Sequence, residues 1–300
     1  MYRPKTTLEQ WRILQAVVDF GGYAQAGTAL NKSQSSLNHA VAKLQDMLGV
    51  KLLEVKGRKA FLTEAGEVML RRSRELTQNV ESLEQLAINI HQDWEPEINI
   101  ALDIAYPRDH IYPVLKAFLP QSRGSRIKIL DTVLTGSQEA VTQKLADLVV
   151  LMNVPKGYLG EALCHVKFVL VCHPNHPLTE YEHAIDPNIL AQHLQIVIKD
   201  SAINPTESSG WLKSENRWTV SQFETAIDLL KENIGFCWIP EHIVCDQIQS
   251  KELTHLNITG GSFKQLTAFL VCPDPEQKGP GTKLLSELIL QHRQIDLPSF

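Results

Sequence analysis

The 300-residue chain, 43% apolar, is long enough for two domains with a core each, and it contains no apolar run that could cross a bilayer. No hydrophobic signal region precedes the first helix, so the expectation is a cytoplasmic protein with no membrane partner. The net charge of −5 is unevenly spread: residues 1–62 carry nine Lys or Arg against four Asp or Glu, a balance of +5, and the remainder carries −10. A basic head on an acidic body points to nucleic acid as the partner of the head alone.

Thr7 and Gln10 have capping-box spacing, and Leu8, Trp11, Leu14 and Val18 follow at helical intervals until Gly21 and Gly22 end the run. Residues 23–30, rich in Ala and Gly and including Gln25, fit a second helix packed closely on its neighbours. Asn31 and Lys32 turn into Ser33, an N-cap for a helix that reaches Gly49. Along that helix Leu37, Val41, Leu44 and Leu48 form one apolar stripe that must face a core. The opposite side carries Ser35, Asn38, His39, Ala42 and Lys43, with no acidic residue before Asp46. Small residues let a helix lie close to a duplex, Asn pairs bidentately with adenine, and Lys and His reach guanine or phosphate oxygens. An ordinary solvated helix face is the alternative for this helix taken alone. Two helices, a short turn and a third helix with a polar outer face describe a helix-turn-helix.

The period then changes. VKLLEV and KAFLT read as a hairpin with Lys56, Gly57, Arg58 and Lys59 at its tip, a wing whose Arg58 suits phosphate or a narrow minor groove, or else is a solvated loop residue. Thr63 caps a long helix in which Met69, Ser73, Leu76, Val80, Leu83, Ala87 and Ile90 alternate four and three apart. That heptad favours pairing of two copies, with burial against the same chain as the competing explanation. A dimer would set two recognition helices on successive half-sites of pseudo-palindromic DNA.

Past residue 96 the pattern becomes βαβ. INIAL (98–102), RIKILDTV (126–133) and LVVLM (148–152) alternate with helical stretches near 111–119 and 137–145. A second series runs through HVKFVLVCH (165–173), QIVIK (195–199), a helix over about 221–232, GFCWI (235–239), LTAFLVC (266–272) and a C-terminal amphipathic helix. The order implies two small α/β units with parallel sheets and a ligand cleft between them, where strand ends meet helix starts. The cysteines Cys164, Cys172, Cys237, Cys245 and Cys272 show no CxxC spacing and read as buried thiols, with redox sensing through Cys237 or Cys245 as the alternative. The chain has no GxSxG, HExxH or Gly-rich phosphate loop, and its histidines are scattered, so no catalytic residue, metal ligand or cofactor is expected. A second reading keeps the body as an enzyme or solute-binding protein and the head as an oligomerisation module.

Residues 7–92 resemble the winged helix-turn-helix and linker helix of the LysR-type transcriptional regulators, through LEQWRILQAVVDFGGYAQAGTALNKSQSSLNHAVAKLQDMLGVKLLEVKGRKAFLTEAG. HPNHPLT (173–179) and ENIGFCWIPEHIV (232–244) extend the resemblance over nearly the whole chain. The resemblance implies an α/β protein with an N-terminal winged helix-turn-helix at 1–62, a linker and dimerisation helix at 63–94, and a two-lobed, periplasmic-binding-protein-like (type 2) effector domain at 95–300. Its first lobe would comprise 95–162 with 267–300 and its second 163–266. The implied partners are double-stranded promoter DNA, a small-molecule effector that an anion site would suit, a second copy of the chain through 63–92 and onward to a tetramer, and RNA polymerase. The implied protein is not an enzyme. By position, Gln25, Ser33, Gln34, Ser35, Asn38, His39, Lys43, Arg58 and Lys59 fall at the DNA, and Asn38 and His39 stand where many members have Ser and Arg. Asp103, Tyr106, Arg108, Thr135, Gly136, Ser137, Asp200 and Ser201 fall at the effector cleft, with Tyr106 and Trp211 or Trp218 as an aromatic wall. The hydroxyl and NH donors among them suit an anion at a helix start, and Arg108 suits a carboxylate; simple N-caps and a solvated arginine are the alternative.

Overall fold

Helix α1 (Leu8–Asp19) begins with the expected capping box: Gln10 N donates to Thr7 Oγ1 (3.3 Å) and Thr7 N to Gln10 Oε1 (2.8 Å). The computed structural model of the protein describes residues 3–56, 59–205 and 214–295. Helix α2 (Tyr23–Ala29) follows, and Ser33 caps α3 (Gln34–Leu48), accepting from Ser36 N at 3.2 Å. Leu37, Val41 and Leu44 of α3 are wholly buried against Leu14, Val17 and Ala26 of the first two helices, each burial contributing roughly 1.5–3 kcal/mol. Strands β1 (Leu53–Lys56) and β2 (Lys59–Leu62) pair antiparallel as the wing. Gly57 and Arg58 at its tip lie outside the described residues.

Thr63 caps α4 (Glu64–His91) by accepting from Gly66 N at 2.9 Å. The heptad on α4 divides in two. Ser73 is buried within its own unit, with Gln15 Nε2 3.1 Å from its hydroxyl, and Met69 packs on the same core. Leu76, Leu83 and Ile90 are exposed, Leu83 to 66%. The chain divides into two units, the first reaching Ile88 and the second starting at Asn89.

In the second unit β3 (Glu97–Asp103), α5 (Ile111–Phe118), β4 (Arg126–Thr132), α6 (Thr135–Thr142) and β5 (Leu148–Leu151) form the first lobe, whose three strands are parallel. The strand β6 (Glu161–Cys172) leads through the short α7 (Pro187–Leu190) to β7 (Gln195–Ile198), β8 (Arg217–Val220), α8 (Phe223–Lys231), β9 (Phe236–Pro240) and α9 (Glu241–Gln249) of the second lobe. A two-residue strand β10 (Thr254–His255) and β11 (Phe263–Val271) follow, and α10 (Pro280–Gln291) returns to pack on α5 of the first lobe. The strands form one hydrogen-bonded run, β4-β3-β5-β11-β6-β9-β7-β8, with β10 added to β6.

The expectation of purely parallel sheets is corrected by β6 and β11. These are the longest strands; they pair antiparallel with each other, β11 continues antiparallel onto β5, and β6 onto β9. Apolar periodicity reports which residues are inside but not strand direction, so alternation with helices suggested parallel neighbours throughout. A second difference is β8, whose RWTV segment is too short and too exposed to carry a strand pattern.

Candidate functional site

The outer face of α3 is built by the stripe beneath it. With Leu37, Val41 and Leu44 fixed in the core, helical geometry turns Gln34, Ser35, Asn38, His39 and Lys43 outward, and all five are exposed, as are Ser33 and Gln25. Gln34, Asn38, His39 and Lys43 make no described side-chain hydrogen bond or ion pair, and Ser33 and Ser35 lie 3.1 Å apart, hydroxyl to hydroxyl, at the N-cap. The face is therefore small at its start, polar along its length and free of acidic groups until Asp46. Arg58 lies outside the described residues, and of Lys59 only the backbone is described, in β2.

In the second unit a cavity of about 710 Å³ opens between the two lobes. Asp103, Ala105 and Leu134 from the first lobe face Phe168, Ile196, Trp238 and Lys264 from the second. Asp103 is buried; it accepts from Ala105 N at 2.9 Å and Ser137 Oγ at 3.0 Å, and burial raises its pKa to about 6 against those bonds. Lys264 stands over the Trp238 ring at 4.6 Å, and partial burial lowers its pKa. Trp238 Nε1 is buried with no acceptor among the described residues.

The start of α6 is occupied by the chain itself. Asp200, just past the end of β7, accepts from Thr135 N at 3.2 Å, Gly136 N at 3.1 Å, Ala202 N at 2.9 Å and the Thr135 hydroxyl. Ser201 Oγ accepts from Val133 N at 2.8 Å, and Ile203 N donates to Glu139 Oε2 at 2.9 Å. This polar seam joins the lobes edge to edge. A carboxylate is the expected occupant of a helix N-terminus, where free NH groups and the helix dipole favour negative charge. Only glycine fits at 136, since a Cβ there would stand 1.9 Å from Ser201 Oγ. Leu134, in the turn before α6, takes φ 53°, a conformation that bulky side chains avoid and that the seam on both sides enforces.

The sequence-predicted effector residues thus separate into three groups. Asp103 lines the cavity; Thr135 and Gly136 bond to Asp200, Ser137 to Asp103, and Ser201 to the Val133 backbone, so these groups are engaged within the chain. Tyr106 and Arg108 line a different cavity of about 640 Å³, beside His110 and Lys167. Arg108 is not solvated and unpaired: it binds Asp131 at 2.6 Å, and its Nη1 is buried with no acceptor among the described residues. Tyr106 is buried against the His110 ring, edge on at 5.7 Å, and burial raises its pKa. Trp218 is 52% exposed on β8 and lines neither cavity, which corrects its reading as part of the wall; Trp211 lies outside the described residues. Asp131, next to β4's end, was given no weight in the sequence because its partner Arg108 is 23 residues away.

Phe168, Trp238 and Lys264 are what the sequence reading missed. The first two belong to apolar strands that read as core, and Lys264 sits ahead of the LTAFLVC run, although β11 already begins at Phe263. Cys164, Cys172 and Cys237 are buried, and burial pushes the Cys237 thiol up to about 12, the direction that disfavours a thiolate. No group of three or more His, Cys, Asp or Glu able to hold a metal occurs among the described residues.

Residues 8–67 match the family described as "Bacterial regulatory helix-turn-helix protein, lysR family", and residues 91–294 match the "LysR substrate binding domain". The "Uncharacterized HTH-type transcriptional regulator YeeY" of Escherichia coli (strain K12) is 31% identical over 244 residues, 80% of this chain and 79% of that protein. The "RuBisCO operon transcriptional regulator" of Allochromatium vinosum is 25% identical over 267 residues, 85% and 86% of the two chains. Among solved structures, the full-length Vibrio cholerae virulence activator AphB, titled a member of the LTTR protein family, aligns with a TM-score of 0.51 at 16% identity, over 96% of this chain and 100% of that one, a likeness of fold.

Proposed function

The chain belongs to the LysR family of bacterial transcriptional regulators, and on that premise we propose which of its residues read DNA, which pair two copies and where the effector sits. As a member it is a DNA-binding regulator of transcription with an effector-binding domain. Asn38 and His39 on the outer face of α3 read base edges in the major groove, Gln34 and Ser35 fix the helix start against the phosphates, and Lys43 and Arg58 anchor the backbone. The exposed second half of the α4 heptad, Leu76 to Ile90, pairs with the same helix of a second copy, which spaces two α3 helices for a pseudo-palindromic site. The effector occupies the cavity between Asp103 and Lys264 and alters the relation of the lobes.

The observation that carries the DNA assignment is the α3 face itself, exposed, without acidic groups before Asp46 and with no described side-chain hydrogen bond or ion pair at Asn38 or His39. Fluorescence anisotropy with the DNA upstream of the coding region, over a salt series, tests it. The double variant Asn38→Ala, His39→Ala is expected to lose tenfold or more of its preference for this DNA over random DNA, while non-specific binding persists. A preference that survives the double variant would move base reading away from α3.

A further inference from the structure

The donors expected to take an anionic effector are already in use. Thr135 and Gly136 give theirs to Asp200, and Ser137 gives its hydroxyl to Asp103. A ligand in the cavity must therefore be read by other groups.

Two charged side chains line that cavity among the described residues, and they stand on opposite lobes. Asp103 has its oxygens held by Ala105 N and Ser137 Oγ. Lys264 has no described acidic partner, and no hydrogen bond of its own is described; its only described contact is the Trp238 ring, 4.6 Å from Nζ. Trp238 in turn leaves Nε1 buried with no acceptor among the described residues, a donor that a well-satisfied interior would not leave unused. Lys264 and Phe168 are register partners on β11 and β6, and Trp238 pairs with Leu170 two residues along β6, so the three side chains share one face of the sheet.

Taking the cavity between the lobes as the effector site proposed above, we infer that the effector is a small monocarboxylic acid with an aromatic body, its carboxylate held by Lys264 Nζ and Trp238 Nε1 and its ring against Phe168. A carboxylate supplies the acceptor that Trp238 lacks and the counter-charge that Lys264 lacks, and one anion can take both donors. A second acidic group would have to lie towards Asp103 on the opposite wall, which disfavours diacids. A phosphate dianion would meet a single lysine, because the helix start that would neutralise it is filled by Asp200. The lowering of the Lys264 pKa by burial agrees with a cation that has no described ion-pair partner. Flat apolar walls from Phe168, Phe223 and Trp238 suit a ring, and about 710 Å³ leaves room for a short side arm.

Isothermal titration of the full chain with phenylacetate and 3-phenylpropanoate, beside their primary amides, tests the assignment. The acids are expected to bind at least tenfold tighter than the amides. Lys264→Met should remove that difference, and Trp238→Phe should weaken the acids several-fold. Amides that bind as well as the acids would overturn the acid while leaving the cavity as the effector site. No binding by any of the four would overturn the aromatic acid class. Acid binding that neither Lys264→Met nor Leu266→Arg alters would remove the ligand from this cavity altogether, and the proposed effector site with it. DNA recognition by α3 is measured separately and stands or falls by its own variants.

Discussion

Asp103 is the residue on which the cavity's electrostatics turn. Burial raises its pKa to about 6 from an ordinary value near 4, so the folded state prefers the protonated form. The stability this group contributes is therefore fully present below about pH 4 and is lost as pH rises to about 6, by roughly 2–3 kcal/mol in total. Asp103→Asn keeps an acceptor for Ala105 N and cannot ionise. Urea denaturation at pH 4.5 and pH 7 should show the wild type losing most of this increment relative to the variant, and equal pH dependence in the two would mean that Asp103 titrates normally. Gly136 is decided by space rather than charge. Gly136→Ala forces a Cβ into Ser201 Oγ and the Ala202 backbone, and the melting temperature should fall as for a loss of about 1–3 kcal/mol. A variant with an unchanged melting temperature would show that the seam from Asp200 to Ile203 yields easily.

At the scale of elements, α3 and α4 show how one apolar pattern serves two purposes. The α3 stripe faces the head's own core, which leaves the opposite face exposed. On α4 the same period starts inside the head, at Met69 and Ser73, and continues into solvent at Leu76, Leu83 and Ile90. Large apolar side chains repeated on one exposed helix face mark an interaction surface. On the proposed pairing of α4, Leu83→Asp should shift the chain from dimer to monomer in sedimentation velocity, with little change in melting temperature, because Leu83 is 66% exposed in the single chain. A variant that stays dimeric would place the contact elsewhere.

For the molecule as a whole, the division of charge matters more than the total. A head of +5 on a body of −10 concentrates attraction for phosphate in the first 62 residues, and DNA affinity should fall steeply with salt as counterions are released. Lys43 is exposed on α3 with no described partner, so Lys43→Ala should weaken binding to every sequence alike and lower the log–log salt slope by about 1 for each head bound. A changed sequence preference with the same slope would make Lys43 a base reader instead.

The sequence by itself determined the helix-turn-helix, because everything in it is local. The Thr7 box, the Ser33 cap and the stripe through Leu37, Val41 and Leu44 each depend on residues a turn or two apart, and each formed as spacing requires. The order of strands and helices in the body was legible for the same reason. What only the tertiary structure decided lies between residues far apart in the chain: the antiparallel path of β6 and β11, the pairing of Arg108 with Asp131, and the arrival of Asp200 at the start of α6, 64 residues from Gly136. A helix start announces that an anion will be welcome there, and periodicity announces which faces are buried. Neither says which carboxylate the fold will bring: Asp200 takes the NH groups of Thr135 and Gly136, and Lys264 and Trp238 are left lining the cavity.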